Sequence, residues 1–214
     1  RLQPQSPATV TAAAEPRTSR NNSKKLAYIG QGIVKPATIT EHFHQMAGER
    51  VVVSHGNTTN EGWLCEMRWR NYLAELANGS VDMTIYQPPS LTFSSKTNIP
   101  LRDAQGPGRY GVKKLKGSAK ESVRKETLLA IRTAQAIAIH LSLGIPFILI
   151  TARPRLLKLD EFSAILAHHE VRQSDIDLCT KGADTRKPVL VLSFRAIDEY
   201  NLLESRMCEH QPKT

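Results

Sequence analysis

Short, almost wholly apolar segments alternate along this chain with longer segments of helical periodicity. The apolar segments cover residues 26–29, 50–54, 81–86, 146–150, 176–179 and 189–194, and the helical ones cover residues 38–46, 61–77, 118–143 and 159–168. Strands that are apolar on both faces are typical of parallel sheets, which need crossover connections that helices usually supply. The pattern therefore predicts an α/β domain with an open, mostly parallel sheet and helices on both faces.

The two ends of the chain lack this alternation. Residues 1–25 are rich in Pro, Ser, Thr, Ala and Asn and contain almost no large apolar side chains. Such a segment cannot bury enough surface to offset the entropy of ordering it. We predict a disordered basic arm at residues 1–25, the α/β domain at residues 26–196 and a C-terminal tail at residues 197–214.

Targeting and redox signals point to the interior of the cell. The longest apolar run, residues 141–152, is interrupted by Ser142, Gly144 and Pro146 and is shorter than the roughly 20 residues that a membrane helix needs. The first residue is an arginine with no apolar leader behind it, which predicts no signal peptide. Three cysteines without a CxxC pair argue against a disulfide framework and a zinc ribbon. We expect an intracellular protein, nuclear or cytoplasmic, with no membrane partner and no metal site.

Positive charge is concentrated in one stretch. The chain has 29 basic and 20 acidic residues, and residues 102–125 hold eight of the former and two of the latter, which is +6 of the net +9. A flexible glycine-rich loop opens the stretch and the start of a helix follows, where cations are unfavourable for the helix dipole. A solvated basic face is one interpretation, and a phosphate-contacting loop that binds DNA or RNA is the other. The candidate contacts are Arg109, Lys113, Lys114, Lys116 and Lys120.

Polar or conformationally special residues follow the first three predicted strands. Gly30 and Gly32 come after the first strand, where glycines let the backbone approach a nucleotide-like ligand. Ser54 and His55 stand after the second strand, where a ribose-binding carboxylate would be expected. Pro88, Pro89 and Ser90 form a rigid turn after the third strand. Because ligands of open α/β sheets bind at the carboxyl ends of the strands, these positions predict a binding site.

The order of these motifs resembles that of the DNA cytosine-5 methyltransferases, which use S-adenosylmethionine. Residues 28–32, with Tyr28, Gly30 and Gly32, resemble the family's cofactor loop, and residues 87–94 resemble its Pro-Pro-Cys catalytic loop. Residues 134–154 resemble the segment that ends in Glu-Asn-Pro or Glu-Asn-Val, and residues 177–188 resemble a Cys-x-x-Gly followed by Lys-Pro-Thr. The resemblance implies a class I methyltransferase fold, S-adenosylmethionine as cofactor and a nucleic acid as partner.

Two departures from the family pattern affect its chemistry. In the family a cysteine thiolate adds to C6 of a flipped cytosine while a glutamate protonates N3. The matching positions here are Ser90, after Pro88 and Pro89, and Thr151. A serine hydroxyl is far less nucleophilic than a thiolate, and a threonine cannot act as the acid. The sequence therefore predicts a degenerate, pseudoenzyme-like domain with little or no cytosine methylation.

Two other functions are compatible with the same residues. Amino-methyltransferases use an Asn-Pro-Pro-Tyr type loop, and Gln87 to Ser90 keeps an amide and both prolines. The stacking ring is missing unless Phe93 or Tyr86 supplies it. The other alternative is a nucleic-acid-packaging component of a mobile element that binds no cofactor.

Overall fold

The computed structural model describes residues 24–30, 51–57, 63–94, 100–177 and 188–196. The helix expected at residues 38–46, the tail at residues 197–214 and most of the N-terminal arm lie outside these ranges. The arm prediction was too long at its end, because Lys24 and Lys25 already belong to the first strand. Lys25 pairs through Nζ with Glu75 at 2.8 Å, and its backbone N–H donates to the Asp82 carboxylate.

The described strands form one six-stranded sheet in the order β2-β1-β3-β4-β6-β5. Their bounds are β1 Lys24–Gly30, β2 Val51–Asn57, β3 Met83–Gln87, β4 Phe147–Thr151, β5 Val171–Asp177 and β6 Pro188–Phe194. The first four strands pair in parallel, and β6 is antiparallel to both β4 and β5. Five strands therefore run in one direction and β6 runs in the other. The α/β class is confirmed, with a mixed sheet.

Two long helices follow the sequence pattern closely. Helix α1, Glu66–Ala77, begins five residues later than predicted and has Glu66 in its first turn, where a carboxylate favours the helix dipole. Helix α2, Gly117–Leu143, ends at Gly144, whose left-handed conformation, at φ 67°, is the usual glycine C-cap.

The predicted helix at residues 159–168 was wrong for most of its length. Two 3-10 turns, Pro154–Lys158 and Asp160–Phe162, lead into a single α-helical turn, α3, at Ser163–Leu166. Strand β5 then begins at Val171 rather than at residue 176. This strand lies at the edge of the sheet, so most of its residues are polar, and a search for continuous apolar runs misses it.

The two faces of the sheet bury separate sets of side chains. In β1, Ala27 and Ile29 join the larger cluster, while Leu26 and Tyr28 join the smaller one on the other face. Each of α1, α2 and α3 contributes buried apolar side chains to the larger cluster, and none of them contributes to the smaller one. The described helices therefore cover one face, and the expectation of helices on both faces rests on residues outside the described ranges.

None of the helices in the described residues combines the length and the apolar character needed to span a membrane.

Candidate functional site at the carboxyl edge of the sheet

The order of the strands creates a switch point beside β1. From β1 the chain passes to β2 on one side, and β3 then pairs on the other side. At the carboxyl end, Gly30 is in register with Asn57 of β2 and with Gln87 of β3. Ligands of open α/β sheets bind in the crevice that opens at such a point. Gly30 and Gln87, which precedes the Pro-Pro-Ser turn, are therefore neighbours, whereas Gly32 lies outside the described residues.

The interpretation of Ser54 and His55 needs correction. Strand β2 continues through both residues to Asn57, so neither follows the strand. They pair within it, with Ala27 and Tyr28. A run of three valines marked the strand, but its polar continuation gave no apolar signal. The strand-end position next to Gly30 belongs to Asn57, which carries no charge.

Tyr28 occupies the sheet face rather than the strand-end crevice. Its side chain is 4% exposed and belongs to the smaller cluster. The hydroxyl group donates a hydrogen bond to Oε1 of Gln87 at 2.7 Å, and burial raises its pKa. Tyr28 thus connects β1 to the residue that precedes Pro88, and a direct contact between its ring and a cofactor stays a prediction.

The Pro-Pro-Ser turn is held against the body of the domain. Pro88 and Pro89 are buried and Ser90 is half-buried. Ser90 precedes a 3-10 turn at Leu91–Phe93, and its carbonyl oxygen accepts a hydrogen bond from the Phe93 N–H at 3.1 Å. The Ser90 hydroxyl makes no capping bond to that turn.

Thr151 lies at the same edge of the sheet, at the end of β4. Strands β3 and β4 are parallel neighbours, and the turn at Leu91–Phe93 contacts the turn at Pro154–Lys158. Ser90 and Thr151 therefore lie at the carboxyl ends of neighbouring strands. Thr151 is 2% exposed, and its Oγ1 accepts the Arg153 N–H at 3.1 Å. Whether both side chains face one pocket stays a prediction.

A buried polar network lies behind this turn, and the strand-end motifs did not predict it. The Glu126 carboxylate on α2 accepts the Thr92 N–H at 2.8 Å and the Thr92 hydroxyl at 2.6 Å. Arg102 donates to the same hydroxyl from Nε at 3.1 Å and from Nη2 at 2.9 Å. The sequence did contain one signal for this network. Glu126 is a carboxylate that stands three residues after Val123, on the apolar side of the predicted helix.

Arg102 is the centre of this network. Its guanidinium lies 3.7 Å from the centroid of the Phe93 ring and donates to the carbonyl oxygens of Val123 and Arg109, both at 3.0 Å. The side chain is 4% exposed, and burial lowers its pKa to about 10 although Glu126 acts in the opposite direction. Arg102 therefore does not belong to the solvated basic stretch in which the sequence count placed it.

The five basic candidates divide into two groups. Arg109 is engaged by the protein, because it donates to the Lys158 carbonyl oxygen at 2.6 Å and pairs with Asp160 at 3.0 Å. The other four form what we call the lysine surface, which comprises Lys113, Lys114, Lys116 and Lys120. All four are exposed, and none has a carboxylate partner within the described residues.

Neither ring considered for base stacking is available. Tyr86 is fully buried, and its hydroxyl shares a 2.7 Å hydrogen bond with that of Tyr72. Phe93 is 2% exposed and is covered by the Arg102 guanidinium. In the described part of the loop after β3, the prolines are buried, Ser90 is half-buried and Leu91 is an exposed apolar side chain, at 70%.

Comparison with known proteins gives no relatives for this chain: no family model, no curated protein and no solved structure matches it.

Proposed function

We propose that this chain is a methyltransferase-like α/β domain that binds nucleic acid and transfers no methyl group to cytosine C5. The strand order β2-β1-β3-β4-β6-β5, with β6 antiparallel, is the observation that carries the proposal. The class I methyltransferase fold likewise has one antiparallel strand in the next-to-last position of an otherwise parallel sheet. Since a fold does not define a reaction, the chemistry is argued from the residues at the strand ends.

The residues at those ends do not support cytosine chemistry. Ser90 stands where the resemblance places the nucleophile, and no described side chain activates its hydroxyl. Thr151, at the position of the acid, points its oxygen into its own turn and accepts the Arg153 N–H. A neutral hydroxyl without a base is a poor nucleophile, and an aliphatic alcohol is far too weak an acid to protonate a base nitrogen.

The lysine surface supports binding of a polyanion. Four cations without carboxylate partners lie at the start of α2 and in the loop before it, where they oppose the helix dipole. Bound phosphates would neutralise them and release counterions, which makes binding favourable and dependent on salt. The partner is a DNA or RNA backbone, bound with little preference for sequence.

S-adenosylmethionine is the cofactor that the resemblance implies, and its place in this proposal is the crevice between Gly30 and Gln87. Residues 88–94, the described start of the loop after β3, expose no aromatic ring, which weighs against an active amino-methyltransferase. A packaging protein without a cofactor would bind nucleic acid equally well, so cofactor binding separates that alternative from the proposal.

The experiment is a titration of a short DNA duplex and of a single-stranded RNA at several salt concentrations. With about six neutralised phosphates, the plot of log affinity against log salt should have a slope of about −5 for the duplex. The variant Lys113→Gln, Lys114→Gln, Lys116→Gln should bind more weakly, with a slope smaller by about 2 to 3. A matched control removes three exposed arginines elsewhere, Arg68→Gln, Arg70→Gln, Arg172→Gln. If the lysine variant behaves like the control, the lysine surface is only solvated.

The same samples, supplied with S-adenosylmethionine, are assayed for 5-methylcytosine. We expect none from the wild-type chain, since losing a positioned acid or nucleophile costs about 100-fold or more in rate and both are absent. Ser90→Cys alone should also give none, because the thiolate would still lack the acid. Methylated cytosine produced by the unmodified chain would contradict the proposal.

A further inference from the structure

The turn that follows β4 carries positive charge that the sequence stretch at residues 102–125 does not include. Between Thr151 and Lys158 the chain contains Arg153, Arg155 and Lys158 and no carboxylate. Arg153 and Arg155 are half-buried and Lys158 is exposed. We call these three residues the post-β4 cations.

The nearest acidic residues along the chain are already engaged by other groups. Asp160 pairs with Arg109 at 3.0 Å, and the hydroxyl of Tyr110 donates to both Asp160 and Glu161. Within the described residues, the post-β4 cations make no ion pair. Three like charges in one short turn repel one another, and a bound anion would relieve this repulsion.

The fold brings this turn beside both parts of the proposed site. The turn at Pro154–Lys158 contacts the one at Leu91–Phe93, which directly follows Ser90. It is also joined to the loop that leads to the lysine surface, because Arg109 donates to the Lys158 carbonyl oxygen at 2.6 Å. Leu91, at 70% exposure, stands at this edge of the sheet.

We infer that the post-β4 cations are a second phosphodiester-binding surface, which continues the lysine surface and leads a nucleic acid backbone across the carboxyl ends of β3 and β4. This inference rests on the proposed function and adds the path of the bound strand. The edge of the sheet at which the family places a flipped base would here be covered by nucleic acid backbone.

The first test is a titration of the variant Arg153→Gln, Arg155→Gln, Lys158→Gln with a short DNA duplex. We expect weaker binding than for the wild-type chain and a salt slope smaller by about 2 to 3, as for the lysine variant. The control is again Arg68→Gln, Arg70→Gln, Arg172→Gln, with the fold of each variant checked by thermal unfolding. A salt slope equal to that of the control would overturn the inference.

The second test locates the bound strand without removing any charge. Leu91→Cys introduces a thiol at the proposed path, and Leu143→Cys introduces one at the opposite edge, where α2 leads into β4. Both leucines are exposed, at 70% and 46%. Saturating duplex should slow maleimide alkylation at Leu91→Cys several-fold and leave Leu143→Cys unchanged, as read by peptide mass spectrometry. Equal protection at both positions would overturn the inference.

The outcomes separate the two proposals. If the wild-type chain binds neither duplex nor RNA, the proposed function fails. If binding depends on the lysine surface but not on the post-β4 cations, and the Leu91→Cys thiol stays reactive, only the path of the strand is wrong. If the triple variant does not fold, the alkylation measurement decides.

Discussion

At the scale of single residues, His140 is the most unusual group in the core. It is fully buried on α2, between the rings of Tyr86 and Phe147. Nδ1 lies 3.1 Å from the Ile145 carbonyl oxygen, and a carbonyl accepts, so Nδ1 carries the proton. Nε2 then has a lone pair but no hydrogen-bond partner among the described residues. Burial lowers the pKa of His140 to about 4.

This shift predicts a loss of stability in acid. The folded pKa of about 4 lies below the ordinary value of 6.5, so the unfolded chain takes up the proton first. Stability is therefore fully present above pH 6.5 and falls as the pH drops towards 4, by up to about 3 kcal/mol from this residue. Denaturant unfolding of wild-type and His140→Leu chains at neutral pH and near pH 4.5 measures the difference.

The variant should be less stable at neutral pH, because it loses the bond to Ile145, but it should lose about 2 to 3 kcal/mol less on acidification. His168→Gln, at a half-buried histidine, is the control. An identical pH dependence for wild-type and His140→Leu chains would show that His140 does not titrate in this range.

At the scale of elements, α2 and the turn at Leu91–Phe93 are joined by Glu126 and Thr92. The carboxylate of Glu126 satisfies both the N–H and the hydroxyl of Thr92. Arg102 donates hydrogen bonds to Thr92 and to the carbonyl oxygen of Arg109. The loop after β3 and the loop that contains Arg109 are therefore held by the same buried side chain. The position of Ser90 therefore depends on a helix that the strand-end motifs do not include.

Truncation of Glu126 should be costly. Glu126→Ala leaves the Thr92 N–H without its acceptor beside a buried guanidinium, which should lower the free energy of unfolding by about 2 to 4 kcal/mol. Glu126→Gln keeps an acceptor oxygen and should cost less. Glu121→Ala, on the exposed side of the same helix, should change stability by less than about 0.5 kcal/mol. Equal effects of the alanine substitutions in urea unfolding would contradict the role of the network.

At the scale of the whole molecule, the strand order makes Gly30 and Gln87 neighbours at the switch point, and the cofactor crevice that we propose lies between them. The residue in register at the end of β2 is Asn57, and a neutral partner hydrogen-bonds ribose less strongly than a carboxylate does. We expect S-adenosylmethionine to bind weakly, with a Kd of about 100 µM or more. Calorimetric titration measures it, with Gly30→Val expected to abolish the signal and Ser142→Val, at the far end of α2, to leave it unchanged. Low-micromolar binding, or binding that survives Gly30→Val, would contradict this assignment.

Much of the architecture could be predicted from local patterns. Continuous apolar runs identified β1, β3, β4, β6 and the first part of β2, and Gly144 marked the end of α2. The search for apolar runs and helical periodicity failed in two kinds of segment. The edge strand β5 has few apolar residues, and the 3-10 turns after Pro154 have apolar side chains at spacings that resemble a helix. Neither error can be detected from periodicity, because the position of a segment in the sheet decides which residues are buried.

The sequence by itself determined the alternation of strands and helices, the charge of the chain and the residue types at the strand ends, since these depend on local composition and spacing. Only the tertiary structure decided which charges are solvated. Arg102 and Arg109 look like Lys113 and Lys114 in the sequence, but packing buries the first and pairs the second with Asp160. It also decided that Arg153 and Arg155 adjoin the turn after Ser90. Such neighbours come from segments about 60 residues apart, and only the pairing of β3 with β4 brings them together.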